Sequence, residues 1–284
     1  MGNDGVRERL IAHLKELIRQ RDPYIATQGY HYARHYLRTQ LSLCGAITVM
    51  GFKVQGKEHS NFCLDLPGNQ PSLAPVVIGA HYDTVPGCPG ADDNATGLAV
   101  LLELARRFSC QPPRRPVRLV AFDLEEYGLL GSKAYVKALN GQPIHLMLSL
   151  EMLGYCVKQS ASDQPSQVYP LESLKYIYPK TGDFIALIGN WQTLPQLWRL
   201  NRSFNAAGVD CAWLPMMNRG LPLPMTRRSD HAPFWDAGYN AIMVTDTADL
   251  RNPHYHAATD TFETLDLEFL TQVCLGLGQC IAQL

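Results

Sequence analysis

The chain has 284 residues, enough for one large domain with a substantial core. With 25 basic and 26 acidic residues the net charge is −1, which gives no reason to expect nucleic acid or an anionic membrane as partner. No apolar run approaches a membrane span, and the start Met1-Gly-Asn-Asp-Gly-Val-Arg-Glu-Arg lacks a signal-peptide pattern. Eight cysteines are scattered without framework spacing, so reduced thiols and a cytoplasmic location are expected.

An amphipathic helix begins the chain, with Val6, Leu10, Leu14, Leu17 and Ile18 on one side. After the N-terminal helices, apolar runs predict strands over 47–54, 61–66, 75–81, 117–123, 146–151, 184–188 and 241–245. Helical periodicity predicts helices over 94–108, 132–139, 193–207 and 266–284, the last with a plain core stripe from Leu267 to Ile281. Alternating strands and helices predict an α/β sheet covered by helices on both faces, with no internal repeat and one domain over 1–284. The polar stretch 157–180, rich in Pro, Ser and Tyr, is long enough to form one wall of a substrate cleft, and the loop 215–228 another.

Chemistry concentrates at the ends of the apolar runs. Ile78-Gly-Ala-His-Tyr-Asp-Thr-Val85 puts His81 at a strand end, two residues before Asp83, and Gly90-Ala-Asp-Asp-Asn-Ala-Thr-Gly97 follows. Imidazole beside hard carboxylates suits a divalent, zinc-like ion. The next run ends in Asp123-Leu-Glu-Glu-Tyr-Gly128, whose adjacent glutamates repel unless one binds metal and the other takes a proton. Glu151 closes a run too apolar for a surface strand, where a charge is costly unless paired or metal-bound. Asn252-Pro-His-Tyr-His-Ala-Ala-Thr-Asp-Thr261 supplies a second imidazole from a loop.

This constellation resembles the M28 family of zinc aminopeptidases over residues 75–265, through "GAHYDTV", "GADDNATG", "FDLEEYGLLGS", "LSLEMLGY", "RRSDHAPFWDAGYNAIMVTDTA" and "NPHYHAATDTFETLD". The resemblance implies a mixed, mostly parallel sheet of the zinc-exopeptidase type and two zinc ions. It implies His81, Asp93, Glu126, Glu151 and His256 as ligands, with Asp93 bridging, Glu125 as general base and a cis peptide after Asp93. Glu151 departs from the Asp of the better-known members, and His254 and Asp92 are left as neighbours. The implied reaction is removal of N-terminal residues from peptides with a free amine, through a metal-bridging hydroxide. Asp230 and His231 are implied as supporting residues near the metals.

The residue chemistry agrees with these roles. Two ions bridged by one carboxylate each need about two more protein ligands and an open position, and His81 with Glu151 and Glu126 with His256 supply them. Glu125 is then free to move a proton, Asp83 to orient His81, and Tyr255 to donate a hydrogen bond to an oxyanion. Ser229-Asp230-His231 is not a catalytic triad, because three adjacent residues do not converge; Ser229 or Asp230 also reads as a helix N-cap. His13, His31, His35, His59 and His145 have no acidic companions at ligand spacing. Cys88 lies between His81 and Asp93 and could touch metal, and a glycan on the Asn94-Ala-Thr sequon would obstruct the site. The M20 peptidases share His-x-Asp and Glu-Glu but insert a dimerisation domain, for which 151–256 leaves no room. The enzymatic alternative is a single-zinc glutaminyl cyclase, and the non-enzymatic one is a catalytically dead peptidase-like binding module, against which the retained ligand residues and Glu125 speak.

Overall fold

The computed structural model describes residues 3–158 and 166–284. The chain opens with α1 (Asn3–Leu17), α2 (Thr27–Ser42) and a hairpin of β1 (Ile47–Val54) and β2 (Lys57–Leu66). Next come β3 (Val76–His81), α3 (Gly97–Cys110), β4 (Val117–Phe122), α4 (Leu130–Leu139) and β5 (Leu146–Glu151). The second half adds β6 (Phe184–Asn190), α5 (Leu194–Ala206), β7 (Asp210–Met216), α6 (His231–Asp236), β8 (Ala241–Thr245) and α7 (Leu267–Gln283).

Eight strands among the described residues form one sheet in the order β1-β2-β4-β3-β5-β8-β6-β7. β3–β4, β3–β5, β5–β8 and β6–β7 pair parallel, and β1–β2, β2–β4 and β6–β8 antiparallel, giving the expected mixed, mostly parallel sheet. The central strands β3 and β5 are buried at every position, which is why their sequences are continuously apolar rather than alternating. Successive residues still serve opposite faces. Val76, Ile78 and Ala80 join the larger core with Leu10 of α1, Leu101 of α3 and Leu270 of α7. Val77 joins a second core with Tyr135 of α4 and Phe234 and Trp235 of α6.

Where the sequence reading differs, the cause is local. β7 was not expected, because Asp-Cys-Ala-Trp-Leu-Pro-Met contains Pro215. The strand pairs only with β6 at the sheet edge, where a missing N–H is tolerated. β2 begins at Lys57 because polar residues 57–60 pair across the hairpin with β1, including a Lys53–Glu58 contact of 3.1 Å. α3 starts at Gly97 rather than Asn94, after an irregular helical turn (Ala91–Thr96). A Cβ on Gly97 would lie 2.4 Å from Asn94 Oδ1 and 2.8 Å from the Leu150 carbonyl, so glycine alone permits this approach of α3 to the end of β5. Parallel β3, β4, β5 and β8 thus deliver His81, the 123–126 turn, Glu151 and Asp246 to one edge of the sheet, where open α/β sheets carry their sites.

Candidate metal centre

At that edge Asp93 faces two ways. His81 Nε2 lies 3.1 Å from its Oδ1, and His256 Nε2 lies 3.2 Å from its Oδ2. Each imidazole has a glutamate of its own: His81 Nε2 is 3.4 Å from Glu151 Oε1, and His256 Nε2 is 3.2 Å from Glu126 Oε2. Ligand atoms of His81, Asp93 and Glu126 lie within 4.8 Å of one another. Among the described residues no aligned hydrogen-bond donor serves the buried Asp93 Oδ1 or Glu126 Oε1, atoms that a cation would satisfy. Imidazole and carboxylate together are a donor set for zinc. The residues present therefore fit the metal. The Asp93–Asn94 peptide is cis, as the resemblance implies. Leu124, Met152 and His256 hold left-handed φ values of 54°, 52° and 56°, so non-glycine strain gathers at the three points where the chain presents Glu125, Glu151 and the last imidazole.

A shell of hydrogen bonds fixes these side chains. The Asp83 carboxylate accepts the backbone N–H of Glu125 at 3.0 Å and of Glu126 at 3.1 Å. His81 Nδ1 lies 3.1 Å from the Asp83 carbonyl and 3.6 Å from its carboxylate, so the carbonyl is the closer orienting group and the carboxylate mainly holds the two glutamates. The Asp260 carboxylate accepts the N–H of Asp92 at 2.9 Å and of Asp93 at 3.1 Å. Sequence reasoning left Asp260 unassigned although it closes the His-x-x-x-Asp phrase. Ser229 Oγ donates to Glu151 Oε2 at 2.7 Å, so it positions Glu151 and does not cap α6. Asn94 Nδ2 donates to the Leu150 carbonyl at 2.8 Å, while its Oδ1 accepts from the N–H of Met152 at 3.2 Å, tying the bridging turn to Glu151. Arg21, fully buried, donates to the carbonyls of Tyr82 at 2.9 Å, Pro89 at 3.0 Å and Gly90 at 3.1 Å, pinning the loop between His81 and Asp93. No sequence signal marks Arg21, and Ser229 reads there only as a helix cap, since both act through contacts distant along the chain.

Asp260→Asn turns one acceptor into an N–H₂ facing an N–H donor. Zinc affinity in this variant is expected to fall by roughly 10–100-fold, the usual effect of removing a partner of a metal ligand. Titration with a zinc-buffered indicator checks it, and unchanged affinity would remove Asp260 from the site.

The site's electrostatics run through Asp93. Burial opposes its charge, but His256 and His81 hold its carboxyl well below the usual range. Burial would lower His81, yet Glu151 and Glu125 outweigh it and raise the imidazole well above its ordinary value. His256 is likewise pushed up to about 10 by Asp93 and Glu126 against burial. Glu126 is raised to about 7, by burial and then Asp93. Without metal both imidazoles hold a proton more tightly than a free histidine, and that proton must leave for an ion to bind. Zinc uptake at pH 8 should release protons, and affinity should fall as pH drops, steeper below about pH 7 where Glu126 also takes a proton, by roughly tenfold per unit for each proton displaced. Calorimetry in buffers of different ionisation enthalpy measures the release.

The remaining candidates separate clearly. Asp230 is buried and raised to about 7, by burial first, with Glu151 and Asp83 adding to it. It also raises Glu125, so it belongs to the site's field. His231 does not: its Nε2 lies 2.7 Å from the Thr226 carbonyl, its ring packs edge-on to Trp235 with centroids 4.4 Å apart, and burial lowers it to about 4. The expectation that it supports the metals is corrected to a packing role at the start of α6. Tyr255 stacks on His256 at 3.8 Å, and its hydroxyl accepts from Arg228 at 2.9 Å, leaving its own hydrogen free to donate. His254 turns to Thr259 at 2.9 Å, and Cys88 Sγ lies 3.9 Å from Asp260 Oδ2, among the supports and not the ligands. His59 does have an acidic companion in space, Asp123 at 3.3 Å, in a separate cluster with Tyr30 and Arg34. Asn94 of the sequon is fully buried. Of the expected cleft walls, Met225 and Arg228 line a pocket with Glu151 and Tyr255, while 159–165 lie outside the described residues.

A family model for peptidase family M28 matches residues 61–186. The uncharacterized protein YfbL of Escherichia coli (strain K12) is 32% identical over 286 positions, covering 95% of this chain and 85% of that protein. The chain belongs to peptidase family M28. Among solved M28-like structures, BSAP of Bacillus subtilis, a zinc aminopeptidase, is 26% identical with a TM-score of 0.59, over 80% of this chain and 50% of that one. A glutaminyl cyclase of Bacteroides thetaiotaomicron bound to N-acetylhistamine superposes over 99% of this chain and 97% of its own with a TM-score of 0.69 at 16% identity, a likeness of fold. The fold is thus shared with a zinc aminopeptidase and with a glutaminyl cyclase.

Proposed function

We propose that this M28 protein is an aminopeptidase that uses two zinc ions, held by His81 and Glu151 on one side, His256 and Glu126 on the other, and Asp93 between. The supporting observation is the two-sided Asp93 carboxylate, each oxygen beside its own imidazole–glutamate pair. When bound, zinc supplies Lewis acidity toward the scissile carbonyl and acidifies water. Glu125 is 8% exposed and makes no ligand-type pairing with His81 or His256 among the described contacts. Burial, with Glu151, Glu126 and Asp230, raises its carboxyl well above the ordinary value, which suits a group that takes a proton from water and returns it to the leaving amine. Tyr255 stacks on His256 and lines the pocket with Glu151, which supports its hydroxyl as the donor to the developing oxyanion. Asp93, Glu126 and Glu151 provide the negative field for an α-ammonium, and Arg228, the cation among the described residues lining that pocket, is paired with Asp249 at 3.0 Å. All eight cysteines are free thiols, in keeping with work in the cytoplasm.

The test uses zinc-loaded protein and paired peptides with free and acetylated N-termini. An anchored amine orients the first carbonyl, so blocking it is expected to lower kcat/KM by roughly 100-fold. Equal cleavage of both would overturn the aminopeptidase reading. A peptide beginning with glutamine runs beside them, and ammonia release without chain shortening would assign the site to cyclisation.

A further inference from the structure

The pocket beside Glu151 and Tyr255 does not end at its apolar lining. Ile188, Met225, Thr247 and Leu250 line it and also line a second chamber, so the two share a wall. The far side of the second chamber is built from Tyr169, Leu174, Tyr178, Phe184, Trp213 and Leu214. Its polar groups are already engaged. Tyr169 donates to the Pro179 carbonyl at 2.6 Å and Tyr178 to the Trp213 carbonyl at 3.0 Å, with the two rings stacked at 6.0 Å. Gln167 Oε1 accepts from Thr247 Oγ1 and Arg251 Nε, both at 3.0 Å, and Thr226 donates to the Leu223 carbonyl at 2.7 Å. A chamber lined this way offers ring faces and methyls, and a ligand that brought an amine or a carboxylate into it would leave that group unpaired.

We infer that the two chambers form one bipartite subsite for the side chain of the substrate's first residue, and that the distal chamber takes an aromatic or extended hydrocarbon portion too long for the proximal one. The inference rests on the aminopeptidase reading, because that reading sets the first residue's α-carbon beside Glu151 and Tyr255. Continuity with that pocket names the occupant: a side chain entering past Glu151 meets Met225 and Ile188 and, beyond them, the aromatic wall. Met225 is an unbranched side chain with three rotatable bonds, which can shift to open the shared wall. The distal wall combines Tyr169, Leu174 and Tyr178 of one cleft segment with Phe184 of β6 and Trp213 and Leu214 of β7, while Leu223 and Met225 of the other cleft segment complete its lining.

The experiment compares coumarin amides of alanine, leucine, phenylalanine and 4-biphenylalanine with zinc-loaded protein, reading kcat/KM. The expected result is that the biphenylalanyl amide is cleaved at least as efficiently as the leucyl amide. Leu174→Trp, which fills the distal chamber, should lower the biphenylalanyl-to-leucyl ratio about tenfold or more, the scale of pocket discrimination between apolar groups. Ala186→Leu fills the same chamber from the sheet and serves if the first variant does not fold. Met225→Ala, which opens the wall, should raise the ratio. A ratio unchanged by filling the chamber overturns the bipartite subsite, whatever its starting value. Leucyl amide cleaved with an unmoved ratio would leave the aminopeptidase reading standing; no cleavage of any amide would overturn both.

Discussion

Glu125→Gln is expected to lower kcat by roughly 10²–10⁴-fold with zinc content and Tm nearly unchanged, as removal of a general base should. Glutamine keeps the length and shape of the side chain but cannot carry a proton from water to the leaving amine. Its position predicts the separation of chemistry from binding. Glu126, not Glu125, lies 3.2 Å from His256, and Asp83 holds both glutamates through their backbone N–H groups, which the substitution leaves intact. Steady-state kinetics with metal analysis on the same preparation make the measurement. Zinc lost from Glu125→Gln but retained by Glu126→Gln would exchange the two assignments.

Asp93→Asn removes the one group that both halves of the centre share, and loss of both ions with an activity drop of at least about 10³-fold is expected from the several kcal/mol a metal contributes to such a reaction. One amide oxygen cannot serve two sides, and the amide nitrogen would face either the His81 or the His256 imidazole, which now lie 3.1 Å and 3.2 Å from the carboxylate oxygens. Glu151→Ala reaches only the His81 side, so it should cost one ion before the other. Metal counts near one for Glu151→Ala and near zero for Asp93→Asn distinguish a pair of ions from a single one. Equal loss in the two variants would contradict the pair.

The sequence by itself determined the elements whose physics is local. β5 and β8 match their apolar runs residue for residue, because both are buried at every position and cannot alternate with solvent; β1 matches as well, although it is a half-exposed edge strand. It also showed His81, Glu125, Glu126 and Glu151 as chemistry, because a charge closing an apolar run stands out against its own neighbours. Tertiary structure decided what depends on distance along the chain. Whether Asp93 presents its two oxygens to opposite sides is set by Asp260, 167 residues away, and by Asn94 reaching across to β5. Ser229 looked like a helix cap and His231 like a metal neighbour because adjacency in sequence says nothing of direction. A turn before α6 sends the serine to Glu151 and the imidazole to Thr226 and Trp235. β7 stayed hidden behind Pro215 because only the sheet order reveals an edge. Local burial writes itself into composition, while the partners of a polar group are chosen by packing, and composition does not record packing.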